Sequence, residues 1–316
     1  MKALLSHLLV VPVVLPLVTT ALLLLLGEQR RRARSLVSVT STFVGLAVAA
    51  AIMTLVDGVG GPGVYLAGNW QAPFGIVLVA DRLSALMLVL VGVVSCCAAL
   101  YSEAGWARAG VSFHVLFQIQ LMGLNGAFLT GDFFNLFVFF EVMLAASYGL
   151  QLHGTGWPRV HSGLHYLAVN LLASSLFLIG LAVLYGVIGT LSMADVAAKF
   201  ALVPTGDRGL LLAGVALLAT AFLIKAAMWP LNAWLLPAYT ATSAPVAALF
   251  AVMTKVGLYT LLRMWTLLFP STDDGAPRFG EEVFVYGGLA TLAFGALGLA
   301  ASTKLGRMAA FSIAVW

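Results

Sequence analysis

The sequence predicts an all-α protein that crosses a membrane many times. Hydrophobic residues make up 62% of the chain, charged residues make up 9%, and the mean hydropathy is +1.05. Soluble domains carry roughly 25% charged residues. The apolar runs are continuous and of about the 20 residues that a helix needs to cross the hydrocarbon core. A membrane β-barrel would instead alternate apolar and polar residues in segments of about 10.

Hydropathy divides the chain into successive apolar spans. The predicted spans are 3–26, 35–56, 74–102, 111–129, 131–151, 160–189, 209–236, 242–268, 281–302 and a last one that begins at 307. The first is too long for the apolar region of a signal peptide, and arginines follow it in place of a cleavage site, so we expect a retained helix. Glycine, proline and mixed charges predict loops at 57–73 and 190–208. The last apolar run stops at Trp316 without a polar end, so we expect a fragment or a missing remainder.

The basic residues predict the orientation of the chain. Cytoplasmic loops carry an excess of lysine and arginine, which puts the cluster Arg30–Arg34 inside and the N-terminus outside. The alternating spans then place Arg108, Arg159, Lys304 and Arg307 inside as well, and Lys2, Lys199, Arg208 and Arg278 outside. Membrane topology thus accounts for the excess of basic over acidic residues. We therefore expect membrane lipid, and no nucleic acid, as a partner.

Three ionisable residues lie at membrane depth. At 1.5 Å per residue, Glu141 is about 13 Å and Lys255 about 20 Å from the start of its predicted helix, and Lys225 is near the middle of its span. Each charge costs about 2.5–3.5 kcal/mol at the bilayer centre, so we expect them to serve proton transfer. A structural alternative stays open, in which one lysine pairs with Glu141 as a strut between helices.

Pro230 predicts a helix break beside Lys225. Proline removes a backbone donor and clashes with the carbonyl four residues earlier, here that of Ala226. Broken helices at membrane depth line cavities and mark ion sites in transporters; a simple proline kink is the alternative. A carboxylate about 4 Å from a lysine interacts with it by about 4 kcal/mol at an effective dielectric of 20. A movement of Glu141 relative to Lys225 would therefore load or release a proton.

Other polar residues are weaker candidates. His161 and His165 stand one helical turn apart at a helix end, and they suggest an accessory proton path, although they also fit no special role. Two histidines without a third ligand make a poor metal site. On the same helix, Asn170, Ser174 and Ser175 suit hydrogen bonds between helices. The sequence has no phosphate-binding loop and no nucleophile elbow, and Cys96 and Cys97 adjoin within an apolar run. We therefore predict no catalytic residue, no metal site and no cofactor.

Four segments in sequence order carry a family resemblance. They are DRLSALMLVLVG, GDFFNLFVFFEVM, FLIKAAMWPLNAWLLPAY and SAPVAALFAVMTKVGLYTLLR. The chain resembles the antiporter-like subunits shared by respiratory complex I and the multisubunit Mrp monovalent cation/proton antiporters. The second segment is most similar to the D-type subunit of the Mrp complex.

The resemblance implies a fold with two inverted repeats of five helices. The N-terminal helices would occupy 1–110, the complete first repeat 111–268 with its broken helix at Pro230, and a truncated second repeat 281–316. Residues Glu141, Lys225 and Lys255 stand where the family translocates protons. Tyr239 stands where the wider family often has histidine. This weakens a proton route at that position and favours the Mrp type, and it leaves Tyr239 as a candidate, with His161 and His165, for the accessory proton path.

The implied function is secondary active transport and not catalysis. The chain would be the proton-translocating subunit of an Na⁺(K⁺)/H⁺ antiporter in the cell membrane, with the other subunits of that complex as partners. The main alternative is a proton-pumping subunit of a complex I-type NADH:quinone oxidoreductase. A third hypothesis is a purely structural subunit in which the buried charges only fix helix packing.

Overall fold

The computed structural model describes residues 2–27, 29–70, 74–110, 112–154, 156–269 and 278–315. The chain divides by its contacts into two units. The first comprises Met1–Gly156 with Ser243–Val252, and the second comprises Trp157–Thr242 with Met253–Trp316.

The first unit consists of helices and one short strand pair. Its elements are α1 (Lys2–Leu8), α2 (Val11–Leu25), α3 (Arg31–Val59), β1 (Gly63–Leu66), β2 (Val77–Ala80), α4 (Arg82–Ser102), α5 (Phe113–Leu129) and α6 (Phe133–Leu152). The predicted first span is two helices rather than one, because the chain turns at residues 9–10 before Pro12 at the start of α2.

The predicted start of the span 74–102 is wrong by several residues. Its first part is strand β2, which pairs antiparallel with β1 so that Gly63 faces Ala80. The helix begins only after Asp81, whose carboxylate accepts from the Ser84 N–H, while the Ser84 hydroxyl accepts from the Asp81 N–H, both at 2.8 Å. This reciprocal cap satisfies two backbone donors. The β-branched Val77 and Val79 favour a strand before it.

Helices α5 and α6 form a tight antiparallel pair. Asp132 caps α6, since its carboxylate accepts from the Asn135 N–H at 2.8 Å, and burial raises the pKa of that carboxyl above its ordinary value. Gly126 of α5 lies so close to the Phe139 ring of α6 that a side chain there would overlap it. This close packing fixes the rotation of α6, the helix that carries Glu141.

The interior of the first unit contains a network of hydroxyl and amide groups. The Gln118 amide donates to the Ser38 carbonyl at 3.0 Å and to the Thr42 hydroxyl at 3.2 Å. The Thr19 and Ser41 hydroxyls lie 2.6 Å apart. These bonds join α2, α3 and α5 among buried side chains, as polar residues do between membrane helices.

Among the described residues of the second unit, the regular elements are all helices. Its helices are α7 (Trp157–Ile188), α8 (Met193–Phe200), α9 (Arg208–Lys225), α10 (Leu235–Ala241), α11 (Ala244–Leu268, of which the part up to Val252 belongs to the first unit), α12 (Glu281–Ala301) and α13 (Leu305–Val315).

The segment 190–208 is not wholly the predicted loop, because it contains α8. Val196 is buried on one face of this short helix. On the solvated side of the helix, the Lys199 ammonium donates to the Asp195 carboxylate one turn earlier at 2.9 Å. This hydrogen bond lowers the pKa of the Asp195 carboxyl. The mixed charges that suggested a loop are thus the solvated side of an amphipathic turn.

Among the described residues, eight helical spans are long and apolar enough to cross a membrane, counting α1 and α2 as one span from Leu4 to Leu25. Helices α5 and α13 are apolar but shorter. The predicted fold class, an all-α polytopic membrane protein, is confirmed.

Candidate functional site

Helix α9 ends at Lys225, five residues before Pro230. The Lys225 side chain is only 6% exposed. The chain then runs without regular helix until α10 begins at Leu235. Ala227 adopts a left-handed conformation with φ of 56°, which is uncommon for a residue other than glycine. The end of the helix thus places a buried ammonium group next to an irregular segment.

The irregular segment keeps its backbone groups paired inside the protein. The Trp234 indole N–H donates to the Ile224 carbonyl at 2.9 Å, an acceptor in the last turn of α9. The Trp229 backbone N–H donates to the Thr291 hydroxyl of α12 at 2.9 Å. Non-helical backbone at membrane depth persists only where such partners exist.

Helix α11 crosses the break at a glycine. A Cβ atom on Gly257 would lie 2.6 Å from the Ala226 nitrogen and 2.9 Å from the Lys225 carbonyl carbon. These are backbone atoms and cannot rotate away. Only glycine therefore allows α11, which also carries Lys255, to approach the end of α9 so closely.

Lys225 faces helix α7. Its Nζ donates to the Ser174 hydroxyl at 3.5 Å, which confirms the prediction that Ser174 hydrogen-bonds between helices. One turn away on each helix, the rings of Phe177 and Phe222 pack edge to face with centroids 4.9 Å apart. The Lys225 amine thus has the Ser174 hydroxyl as one partner and lies one turn from a packed pair of aromatic rings.

Lys255 lies on the wall of a cavity of about 270 Å³. Its Nζ donates to the Ile313 carbonyl of α13 at 3.3 Å. The same cavity is lined by Ala226 and Met228 from the break and by Thr291. The volume accommodates several water molecules. The cavity therefore connects the irregular segment after Lys225 with Lys255.

The remaining predicted residues lie on different helices. Glu141 is half-buried on α6 in the first unit, and its pairing with Lys225 stays a prediction. His161 and His165 are exposed on α7, and His161 stacks on Trp157. Tyr239 is buried, with its ring centroid 6.1 Å from that of Trp234. The structure thus brings Tyr239 near the break and leaves the two histidines on an outer face.

Three contributors to the site were missed from the sequence. Gly257 is one of many glycines in the spans, and no pattern separates it from the others. The hydrogen bond of Trp234 was weakly predictable, since a buried indole finds an acceptor for its N–H. Thr291 lies far along the chain from the break, and a single threonine in an apolar span predicts no partner.

These features define a polytopic membrane protein in which a buried lysine ends a broken helix. Residues 130–314 match the family described as NADH:quinone oxidoreductase/Mrp antiporter, transmembrane. The chain belongs to this family.

Two relatives match nearly the whole chain, and both are named as D-type antiporter subunits. The probable K⁺/H⁺ antiporter subunit of Rhizobium meliloti is 52% identical over 98% of this chain and 58% of its own length. The Na⁺/H⁺ antiporter subunit of Alkalihalophilus pseudofirmus is 36% identical over 98% of this chain and 62% of its own length. The chain thus spans less than two thirds of these relatives, and the predicted resemblance to the D-type subunit is confirmed.

Two solved structures share the fold. The Mrp complex of a Dietzia species contains a chain that matches 99% of this one with a TM-score of 0.86 and 31% identity, over 57% of its own length. The membrane-bound sulfane sulfur reductase, an archaeal respiratory complex, matches 98% of this chain with a TM-score of 0.90 and 27% identity, over 63% of its own length. The antiporter-like fold is therefore established for this chain.

Proposed function

We propose that the chain is the proton-translocating part of a multisubunit Na⁺(K⁺)/H⁺ antiporter, a secondary transporter and not an enzyme. It would lie in the cell membrane with Arg30–Arg34 in the cytoplasm and the N-terminus outside. The observation that carries the proposal is the buried Lys225 at the end of the broken helix α9. The names of the two D-type relatives support the same interpretation.

In this mechanism Lys225 stores the proton. Burial disfavours the charged ammonium, whereas the negative end of the α9 dipole favours it. These opposed effects leave the protonation of Lys225 sensitive to a nearby charge. Glu141 would supply that charge as its distance changes. The Ser174 hydroxyl holds the amine in position in both protonation states, since it can donate to a neutral amine and accept from an ammonium.

Lys255 would relay the proton onward. Water in the cavity between the break and Lys255 provides the path, and the Ile313 carbonyl orients the amine. The five-helix repeat 111–268 would form one half-channel. His161 and His165 would serve as an accessory proton path only if protons reach the exposed face of α7. Tyr239 would place a buried hydroxyl beside the break.

The exported cation is Na⁺ or K⁺. The two relatives are named for different cations, so the test compares both. Inverted membrane vesicles that contain the full-length complex are energised with a proton gradient, and the dissipation of the gradient is followed after adding NaCl, KCl or choline chloride. We expect Na⁺ or K⁺ to dissipate the gradient and choline to have no effect. Equal responses to all three salts would contradict antiport.

A proton pump coupled to electron transfer is the second candidate. The family description includes NADH:quinone oxidoreductase, and one structural neighbour is an archaeal respiratory complex. Purification of the native complex separates the two functions. Flavin and iron–sulfur absorbance in the co-purified subunits would favour the pump, and small hydrophobic subunits without redox centres would favour the antiporter.

A further inference from the structure

A second, larger cavity lies in the first unit, far in sequence from the lysine site. Its volume is about 580 Å³, and it is bounded by the start of α3, the end of α4 and the start of α5. Its polar wall is formed by Arg31, Arg32, Arg34, Glu103, Arg108 and His114. The wall carries more positive than negative charge, so the cavity suits an anion.

Arg34 is the residue that most clearly needs a ligand. Its side chain lines the cavity, yet the residue is only 7% exposed. Among the described residues, its Nε has no hydrogen-bond partner. A buried guanidinium donor without an acceptor is unfavourable. The Nε itself is covered, so an anion in the cavity would pair with the part of the Arg34 guanidinium that lines the cavity and form charge-assisted hydrogen bonds there.

The start of α3 adds to the attraction for an anion. This helix runs over 29 residues, and no side chain caps its N-terminus at Arg30. Its first backbone N–H groups and the positive end of its dipole therefore face the same region. Glu103 is the one carboxylate among the described residues of the wall, and it lies 3.5 Å from the Nε2 of His114. Its Oε1 has no hydrogen-bond partner among these residues, but the four arginines of the wall outnumber it.

The cavity also has an apolar edge. Leu36 and Leu100 line it and are 70% and 53% exposed. Both lie on helices that cross the membrane. An occupant that fits both walls carries a negative head and hydrocarbon tails. We propose that this cavity binds the phosphate headgroup of an anionic phospholipid, with the acyl chains against the outer faces of α3 and α4.

The test uses the purified full-length protein in a neutral detergent. Its unfolding temperature is titrated with phosphatidylglycerol, with phosphatidylcholine and with inorganic phosphate. A ligand that binds the folded state raises this temperature in a saturable way. We expect saturable stabilisation by phosphatidylglycerol and none by the other two. Equal stabilisation by phosphatidylcholine would overturn recognition of the charge, and stabilisation by inorganic phosphate at equal potency would overturn the lipid.

Substitutions in the cavity wall test whether phosphatidylglycerol binds at this site. Arg34→Gln should weaken the apparent affinity for phosphatidylglycerol by about tenfold or more, the loss expected for one charge-assisted hydrogen bond, and Arg34→Lys should retain part of it. Arg82→Gln is the matched control, because Arg82 is an exposed arginine at the opposite end of the α3–α4 pair, bonded to Asp57. If Arg34→Gln does not fold, the exposed pair Arg31→Gln and Arg32→Gln replaces it. Unchanged affinity in these variants, or an equal loss in the control, would refute the site.

Discussion

At the residue scale, the surroundings of Lys225 depend on side chains that are distant in sequence. Pro230 cannot continue α9, so a break near Lys225 is predictable from the chain alone. The contacts that Trp234 and Gly257 make with the break are not predictable, because they arise when α10 and α11 pack against α9. Local sequence therefore identifies the lysine, and tertiary packing supplies its enclosure.

The indole of Trp234 should stabilise the break. Trp234→Phe retains the aromatic ring but removes the donor to the Ile224 carbonyl. The Ile224 carbonyl keeps the Ala227 N–H as a partner at 3.0 Å, so losing the indole bond should cost about 0.5–1.5 kcal/mol, and the unfolding temperature of the purified protein should fall accordingly. Trp157→Phe is the control, since Trp157 is 76% exposed. An equal fall in both variants would show that the indole bond has no specific role.

The absence of a side chain at Gly257 should also stabilise the protein, because it lets α11 approach the end of α9. Gly257→Ala places a Cβ against the backbone of Ala226 and Lys225. Overpacking of this kind costs about 1–3 kcal/mol. In Gly186→Ala the new methyl group meets no atom within 4 Å, and alanine is the better helix former. We expect lower thermal stability in the first variant and unchanged or higher stability in the second; the reverse order would contradict the close approach of α11.

At the element scale, helix ends were harder to predict than helices. Hydropathy placed the start of α4 at residue 74, because an apolar strand and an apolar helix give the same signal over a few residues. Asp81 and Ser84 have the spacing of a capping box, but hydropathy alone does not mark where the helix begins. The short α8 was missed for a related reason, since its charges hid one buried face.

The cap should set the stability of α4. Asp81→Ala removes the acceptor for the Ser84 N–H and should cost about 1 kcal/mol. Asp57→Ala removes only the exposed pair with Arg82, which is worth about 0–1 kcal/mol. Chemical denaturation of the purified protein should rank Asp81→Ala below Asp57→Ala in stability. A larger loss for Asp57→Ala would contradict the capping account.

At the scale of the whole molecule, the sequence predicted the class of fold and the family from patterns that extend over most of the chain. Continuous apolar spans and the order of four sequence segments were sufficient for this prediction. The hydrocarbon core constrains the polarity of every residue in a span, and the broken helix constrains the residues around it. The relation between Glu141 and Lys225 could not be predicted, since it depends on the packing of separate units. A buried lysine and a half-buried glutamate within apolar helices are the features that any mechanism must explain.

Orientation is a prediction for the whole molecule. With Cys96 and Cys97 replaced by serine, a cysteine at position 30 should react with a membrane-impermeant maleimide only from the cytoplasmic side. A cysteine at position 199, in the solvated α8, should react only from outside. Labelling of both positions from one side would contradict the placement of the N-terminus outside.

The central claim is that Lys225 holds the transported proton, and cation-driven proton exchange in inverted vesicles tests it most directly. Lys225→Met keeps the length of the side chain and removes its charge, and Lys199→Met removes an exposed lysine from the same unit. With assembly of the complex verified for both, we predict background exchange in Lys225→Met and wild-type exchange in Lys199→Met. Wild-type exchange in an assembled Lys225→Met complex would contradict the mechanism.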